Sequence, residues 1–270
     1  MSLELTLHTA PEVPLEADVL SPDRLQSLAA AELEQARLYH GNVETPLGEF
    51  FSLKGRYDGE LHLNGDLSRV KHIGALMSSG RIHIHGDVGA HLGPCMSGGE
   101  ILVSGNASDW VGPEMLGGRI VIDGNAGHMT GSAYRGSAVG MSGGEIVVKG
   151  SVGNETGHAM RGGLIAVGGD TGDFTGVNML AGTIVVCGRP GIRSGAGMKR
   201  GTIVSLGDAE MLPTFSYDCS YHPTWIRLYL QHLTAMGLSI DAACTDGDYD
   251  RWSGDAVELN RGEILLYRQR

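Results

Sequence analysis

Short runs of alternating apolar and polar residues recur at a fixed interval through the middle of this chain. The unit Gly-x-apolar-x-apolar-x-Gly, with one polar replacement, starts at Gly59, Gly80, Gly99, Gly118, Gly144, Gly163, Gly182 and Gly201. The intervals are 21, 19, 19, 26, 19, 19 and 19 residues. Five equal intervals in seven set a 19-residue period, and the long one carries a seven-residue insertion near 132–138. Each unit predicts one strand, such as Glu145-Ile146-Val147-Val148. One strand per repeat cannot bury its own apolar side, so the repeats must stack, as in an all-β solenoid. Stacking places Ile82, Ile101, Ile120, Ile146, Ile165, Ile184 and Ile203 in one internal column. Met77, Met96, Met115, Met141, Met160, Met179 and Met198 share another phase and are expected to fill a narrow core.

The corners are marked by glycine in a G-x2-G-x3-G spacing: Gly150, Gly153, Gly157, then Gly169, Gly172, Gly176, then Gly188, Gly191, Gly195. Glycine there permits positive φ or a tight bend. One outer column alternates in sign, Glu60, Arg81, Glu100, Arg119, Glu145, which favours register between repeats. A second outward column is apolar: Leu102, Val121, Val147, Ala166, Val185 and Val204. Strands apolar on both faces are normally covered on both. Leu102, Val121, Val147, Val185 and Val204 are therefore a candidate docking strip, unless the chain's own terminal helices cover them. Tyr134 and Arg135, on the insertion, are candidate interface anchors.

Three regions follow from this pattern. Residues 1–55 form an N-terminal cap with a strand over Leu3, Leu5 and Leu7 and a helix from Ser21-Pro22-Asp23 towards Gly41. Residues 56–210 carry the repeats. Residues 211–270 form a C-terminal cap with an amphipathic helix over 225–236, followed by a segment, Gly262–Tyr267, that echoes the repeat strand.

Composition narrows the function. Lys plus Arg is 20 and Asp plus Glu is 31, a net charge of −11, so the basic footprint of a nucleic-acid binder is absent. No apolar run is long enough for a membrane span, and the N-terminus lacks a secretory pattern, which predicts a cytoplasmic protein. Cys95, Cys187, Cys219 and Cys244 lie too far apart in sequence for a CxxC motif, so free thiols are expected. His62, His83 and His85 fall together on one outer strand face and are weak candidates for a metal. With no carboxylate or thiolate column expected beside them, the reading from sequence is no metal on this chain. No catalytic constellation emerges either.

The tandem G-x2-G-x3-G signature resembles the right-handed β-helix in the C-terminal domain of glutamate synthase large chains. The whole chain, through Pro14-Leu15-Glu16-Ala17, Leu20-Ser21-Pro22 and Leu212-Pro213-Thr214-Phe215, resembles more closely the C-subunit family of formylmethanofuran dehydrogenase. The resemblance implies a right-handed β-helix of about eight coils. It also implies a non-catalytic structural subunit, with no cofactor on this chain. The methanofuran-type carrier and zinc are expected on partner subunits: an amidohydrolase-like chain, a formyltransferase and a dehydrogenase-like chain. Two settings fit. One is a formyltransferase/hydrolase complex that moves a formyl group from tetrahydromethanopterin to a methanofuran-type carrier and releases formate. The other is a tungsten or molybdenum formylmethanofuran dehydrogenase, and a glutamate synthase-like β-helix subunit is a further alternative. Arg outnumbers Lys 16 to 4, which goes with a GC-rich genome and favours the first. The resemblance further implies that Arg119, Arg135, Arg161 and Lys199 guide an acidic carrier tail.

Overall fold

The structure, a computed structural model, describes residues 2–268. Thirteen strands form one large sheet: β1 (Leu3–Leu7), β2 (Phe51–Lys54), β3 (Glu60–Asn64), β4 (Arg81–His85), β5 (Glu100–Val103), β6 (Arg119–Ile122), β7 (Glu145–Val148), β8 (Leu164–Val167), β9 (Thr183–Val186), β10 (Gly201–Ser205), β11 (Ser216–Tyr221), β12 (Tyr249–Gly254) and β13 (Gly262–Tyr267). From β3 to β10 every neighbouring pair is parallel, and the strands of this sheet follow one another in chain order. The pairing keeps the sequence phase: Ile101 pairs Ile120, which pairs Ile146, which pairs Ile165. The insertion between β6 and β7 therefore leaves the strand register intact. A second parallel ladder of single bridges runs Leu67, Val88, Ala107, Ala126, Val152, Thr171, so successive repeats also meet away from the main sheet.

Between these ladders lies the inner core. The isoleucine column is buried, and so are all seven phased methionines. Each methionine needs room made by a glycine in the following repeat. A Cβ on Gly163 would stand 2.7 Å from Met141 Cε and 2.7 Å from the Gly144 carbonyl oxygen, at a φ of +89°. The corner signature divides its labour similarly. At Gly153 the backbone of the preceding repeat lies where a Cβ would go, 2.8 Å from the His128 nitrogen, whereas Gly157 supplies a left-handed φ of +72°.

Both ends extend the sheet. β1 lies parallel on β3, with Leu5 opposite Leu63, and β2 closes that edge antiparallel. At the other end β13 lies parallel on β10, with Ile264 opposite Ile203, and antiparallel β12 and β11 follow. The C-terminal region is thus mixed rather than purely helical: three strands prolong the sheet, and the helix Ile226–Ala235 lies between β11 and β12 in sequence.

The N-terminal helix expected from Ser21 towards Gly41 is broken. Short helices occupy Pro22–Leu25 and Ala30–Glu34, and a hairpin follows, Arg37–His40 against Val43–Pro46, with Gly41 at φ +65° in its turn. The apolar positions explain the break. Leu28 and Leu33 are five apart, off the helical period, and Ala29 is extended at ψ 158°. Arg37 to Tyr39 alternates exposed, buried, exposed, which is a strand pattern. This hairpin joins Leu15–Glu16 and Val70–Lys71 in a small four-stranded sheet beside the first repeats.

Candidate functional site

The apolar outward column is not a free docking strip over most of its length. Val147, Val185 and Val204 are fully buried, with Ala166 and Leu265, under Ile226, Leu230 and Leu233 of the long helix. The physical reason is the one that makes both-face apolar strands rare at a surface: the chain covers them itself. Val121 is half-buried against the same cluster, and Leu102 is half-buried beyond it. The helix is also pinned electrostatically. Arg81 bonds Glu60 at 3.0 Å and Glu100 at 2.8 Å, Arg119 bonds Glu100 at 3.4 Å and Glu145 at 3.0 Å, and Glu145 lies 2.6 Å from His232 Nε2 on the helix. The charge column is continuous from the first repeat to the helix. Arg119 is engaged in that chain of ion pairs, which removes it from the set available to an acidic ligand.

Tyr134 is not an exposed anchor either. Its ring stacks on Trp110 at 5.0 Å, its hydroxyl lies 3.1 Å from His91 Nδ1, and its backbone nitrogen donates to Glu114 at 3.1 Å. Burial pushes the phenol well above its ordinary range. His72, His91, Trp110 and Tyr134 form one aromatic stack, with His72 4.8 Å from His91. Burial, then the neighbouring His72, lowers His91 to about 4. His72, His91 and Trp110 are 19 residues apart and all left-handed, at φ 60–63°. Their backbone nitrogens donate one repeat onward, Trp110 to the His128 carbonyl at 2.8 Å, which offsets the unfavourable φ. The spacing of these three was visible in the sequence. Tyr134 arrives from the insertion, out of phase. Arg135 beside it is exposed, as are Gly136, Ser137 and Ala138.

The loosely recurring Asp and Asn after the second glycine of each repeat also acquire a role. Asp87 Oδ1 accepts from the Asn106 backbone at 2.6 Å, Asn106 Oδ1 accepts from Asn125 at 2.9 Å, and Asn125 Oδ1 accepts from Ser151 at 2.8 Å. A second series runs from Asp109 to His128 at 2.7 Å and from His128 Nδ1 to Asn154 at 2.8 Å. Both series are structural.

The histidine face is more crowded than the sequence suggests. His62 and His83 pair across β3 and β4, their rings parallel within 4° and 4.6 Å apart. His85 Nε2 lies 3.1 Å from His62 Nδ1. A carboxylate does stand beside them: Glu60 Oε2 is 3.9 Å from His62 Nε2, because side chains two apart on a strand share a face. Burial lowers the pKa of His83, with His62 adding to it.

Four cysteines are free thiols, Cys187 pushed up to about 12 by burial and then by Cys244. Of the four basic residues, Arg161 and Lys199 share a shallow groove with Leu180, Arg200 and Leu259. Among the described residues, no helix is long and apolar enough to cross a membrane.

Comparison with known proteins completes the picture. The GXGXG motif model matches residues 62–218. The C subunit of molybdenum-containing formylmethanofuran dehydrogenase 1 from Methanothermobacter marburgensis is 47% identical over 80 residues, 29% of this chain and 20% of that relative. The C subunit of tungsten-containing formylmethanofuran dehydrogenase 2 from Methanothermobacter wolfeii is 40% identical over 89 residues, 31% of this chain and 33% of that relative. The aligned stretches thus span only a fifth to a third of these relatives. A chain in the X-ray crystal structure of the formyltransferase/hydrolase complex (FhcABCD) from Methylorubrum extorquens, in complex with methylofuran, superposes with a TM-score of 0.89. It is 32% identical, and the match covers 98% of this chain and 100% of that one.

Proposed function

The chain belongs to the GXGXG-motif family, and we propose that it is the structural C subunit of a formyltransferase/hydrolase complex. In this reading the assembly moves a formyl group from tetrahydromethanopterin to a methanofuran-type carrier and releases formate. The observation that carries it is the end-to-end correspondence, 98% of this chain on 100% of its counterpart, with a chain of such a complex. The parallel stack is read as a right-handed β-helix of about eight coils. Residues 56–210 form the rod, and residues 1–55 and 211–270 close its ends. Catalysis, the carrier and the catalytic zinc belong to an amidohydrolase-like chain, a formyltransferase and a dehydrogenase-like chain that dock on the rod in the cytoplasm. Docking falls to surfaces the chain leaves uncovered: Arg135 on the insertion, the half-buried Leu102, and the groove of Arg161 and Lys199, which suits an acidic carrier tail.

A dehydrogenase setting is the second reading, favoured by the 47% identity with the C subunit of a molybdenum enzyme over 80 residues. Isolation of the tagged chain from its native cell, with mass spectrometry and metal analysis, separates the two. Zinc with a formyltransferase and an amidohydrolase-like chain supports the hydrolase setting. Tungsten or molybdenum with iron–sulfur replaces it with the dehydrogenase.

A further inference from the structure

The geometry points to a divalent-metal site of the zinc class on the outer face of β3 and β4, with Glu60, His62 and His83 as ligands and His85 orienting His62. This departs from the sequence expectation of no metal on this chain, and it stands independently of the assembly reading. One donor atom from each of Glu60, His62 and His83 lies within 4.8 Å of the others. A tetrahedral ion with bonds of about 2.0–2.2 Å draws its donors to roughly 3.4 Å. The shortfall, at most about 1.4 Å from the same geometry, is within reach of side-chain rotation on a partly exposed face.

Three features prepare the cluster for a cation. The Glu60 carboxylate is shared: Oε1 takes Arg81 at 3.0 Å, which holds the group in place, while Oε2 faces His62 Nε2. The His62–His85 contact at 3.1 Å joins Nδ1 to Nε2. With Nδ1–H of His62 donating, Nε2 of His62 keeps its lone pair for an ion, the arrangement by which a hydrogen-bonded neighbour fixes a ligand's tautomer. The His62 and His83 rings lie parallel within 4° and 4.6 Å apart, which sets their nitrogens side by side. The charged neighbours are balanced: Glu4 pairs with His62 from β1, Lys54 lies beyond Glu4 on β2, and Arg81 flanks the site.

Mere stacking of repeats explains why His62 and His83 adjoin. It does not by itself place a third imidazole against Nδ1 of His62 and a carboxylate oxygen on its Nε2 side. Two nitrogens and one oxygen suit zinc among the common divalent ions and leave a fourth position for water or a partner's side chain. The ion would clamp the first two repeats together beside the strand that β1 contributes.

The test is calorimetric titration of the tag-free, chelator-stripped full chain with Zn²⁺, alongside visible absorption with Co²⁺. One equivalent should bind with micromolar affinity, with a tetrahedral Co²⁺ spectrum and a raised thermal midpoint. His83→Ala and Glu60→Gln should each weaken binding by at least about tenfold, and His85→Phe by a similar factor through His62. His222→Ala, away from the site, should leave it unchanged. Circular dichroism establishes that each variant is folded, and Glu60→Gln keeps the oxygen that Arg81 needs. Binding weaker than about 100 μM, or binding insensitive to both His83→Ala and Glu60→Gln, would overturn the proposal.

Discussion

Glu145 joins the two structural units of the chain: its Oε2 accepts from Arg119 at 3.0 Å, and its Oε1 lies 2.6 Å from His232 Nε2. One carboxylate thus ends the charge ladder of the repeats and fixes the helix that roofs them. The His232 side chain is 46% exposed and that of Glu145 only 13%. His232→Ala should therefore cost no more than about 1 kcal/mol, the range of exposed pairs. Glu145→Ala should cost more, because it also removes the shorter of the two ion pairs of Arg119. Urea unfolding of both variants and of the double variant measures the coupling, and strict additivity would contradict a shared role.

The roof itself rests on apolar burial. Val185 is 1% exposed beneath the helix. Val185→Asp places an unpaired charge there and should destabilise by at least about 3 kcal/mol. Leu102→Asp, on the same column but outside the helix footprint, should cost less than about 1.5 kcal/mol. Thermal unfolding of the two variants distinguishes an internal from an external face, and similar losses would place both on one continuous surface.

Two glycines with nearly equal φ separate strain from close packing. Gly136, at +93°, has nothing within 4 Å of its Cβ position, while Gly163, at +89°, has Met141 Cε and the Gly144 oxygen at 2.7 Å. Gly136→Ala should cost about 1 kcal/mol from backbone strain alone. Gly163→Ala should cost at least about 2 kcal/mol more from overpacking. Denaturant midpoints test the difference, and equal losses would mean that the methionine column yields freely.

Acid sensitivity follows from the aromatic stack. His91 is held at about 4 in the fold, against an ordinary value of 6.5. Below pH 6.5 the unfolded chain takes up a proton that the folded chain refuses, so stability falls between about pH 6.5 and 4 and is not lost further to this group below that. His91→Phe keeps a stacking ring without the titration. Its unfolding free energy should decline less steeply across this window, and parallel pH profiles for the two proteins would remove His91 as the cause.

What the sequence made legible was whatever obeyed the period. Ile101, Ile120 and Ile146 could be placed in one column by counting, and they pair in that order. Glu60 to Glu145 could be read as a charge series in the same way. The partners from outside the repeats were hidden. His232 reaches Glu145 from 87 residues away, and Tyr134 reaches His91 from an insertion that has no phase. Glu60 was assigned to the charge column, although the strand pleat equally turns it towards His62. The broken N-terminal helix has a related origin: Leu38 is buried by a hairpin that local helix signals around Pro22 do not foretell.

Whether this chain holds a formyl-transferring assembly together is decided by leaving it out. The proposed partner subunits would be co-expressed with and without this chain, and their co-elution and formate release measured. Without it the partners should separate and formate release should fall by at least about tenfold, a loss of about 1.4 kcal/mol or more in effective coupling. Partners that still elute together with full turnover would contradict it.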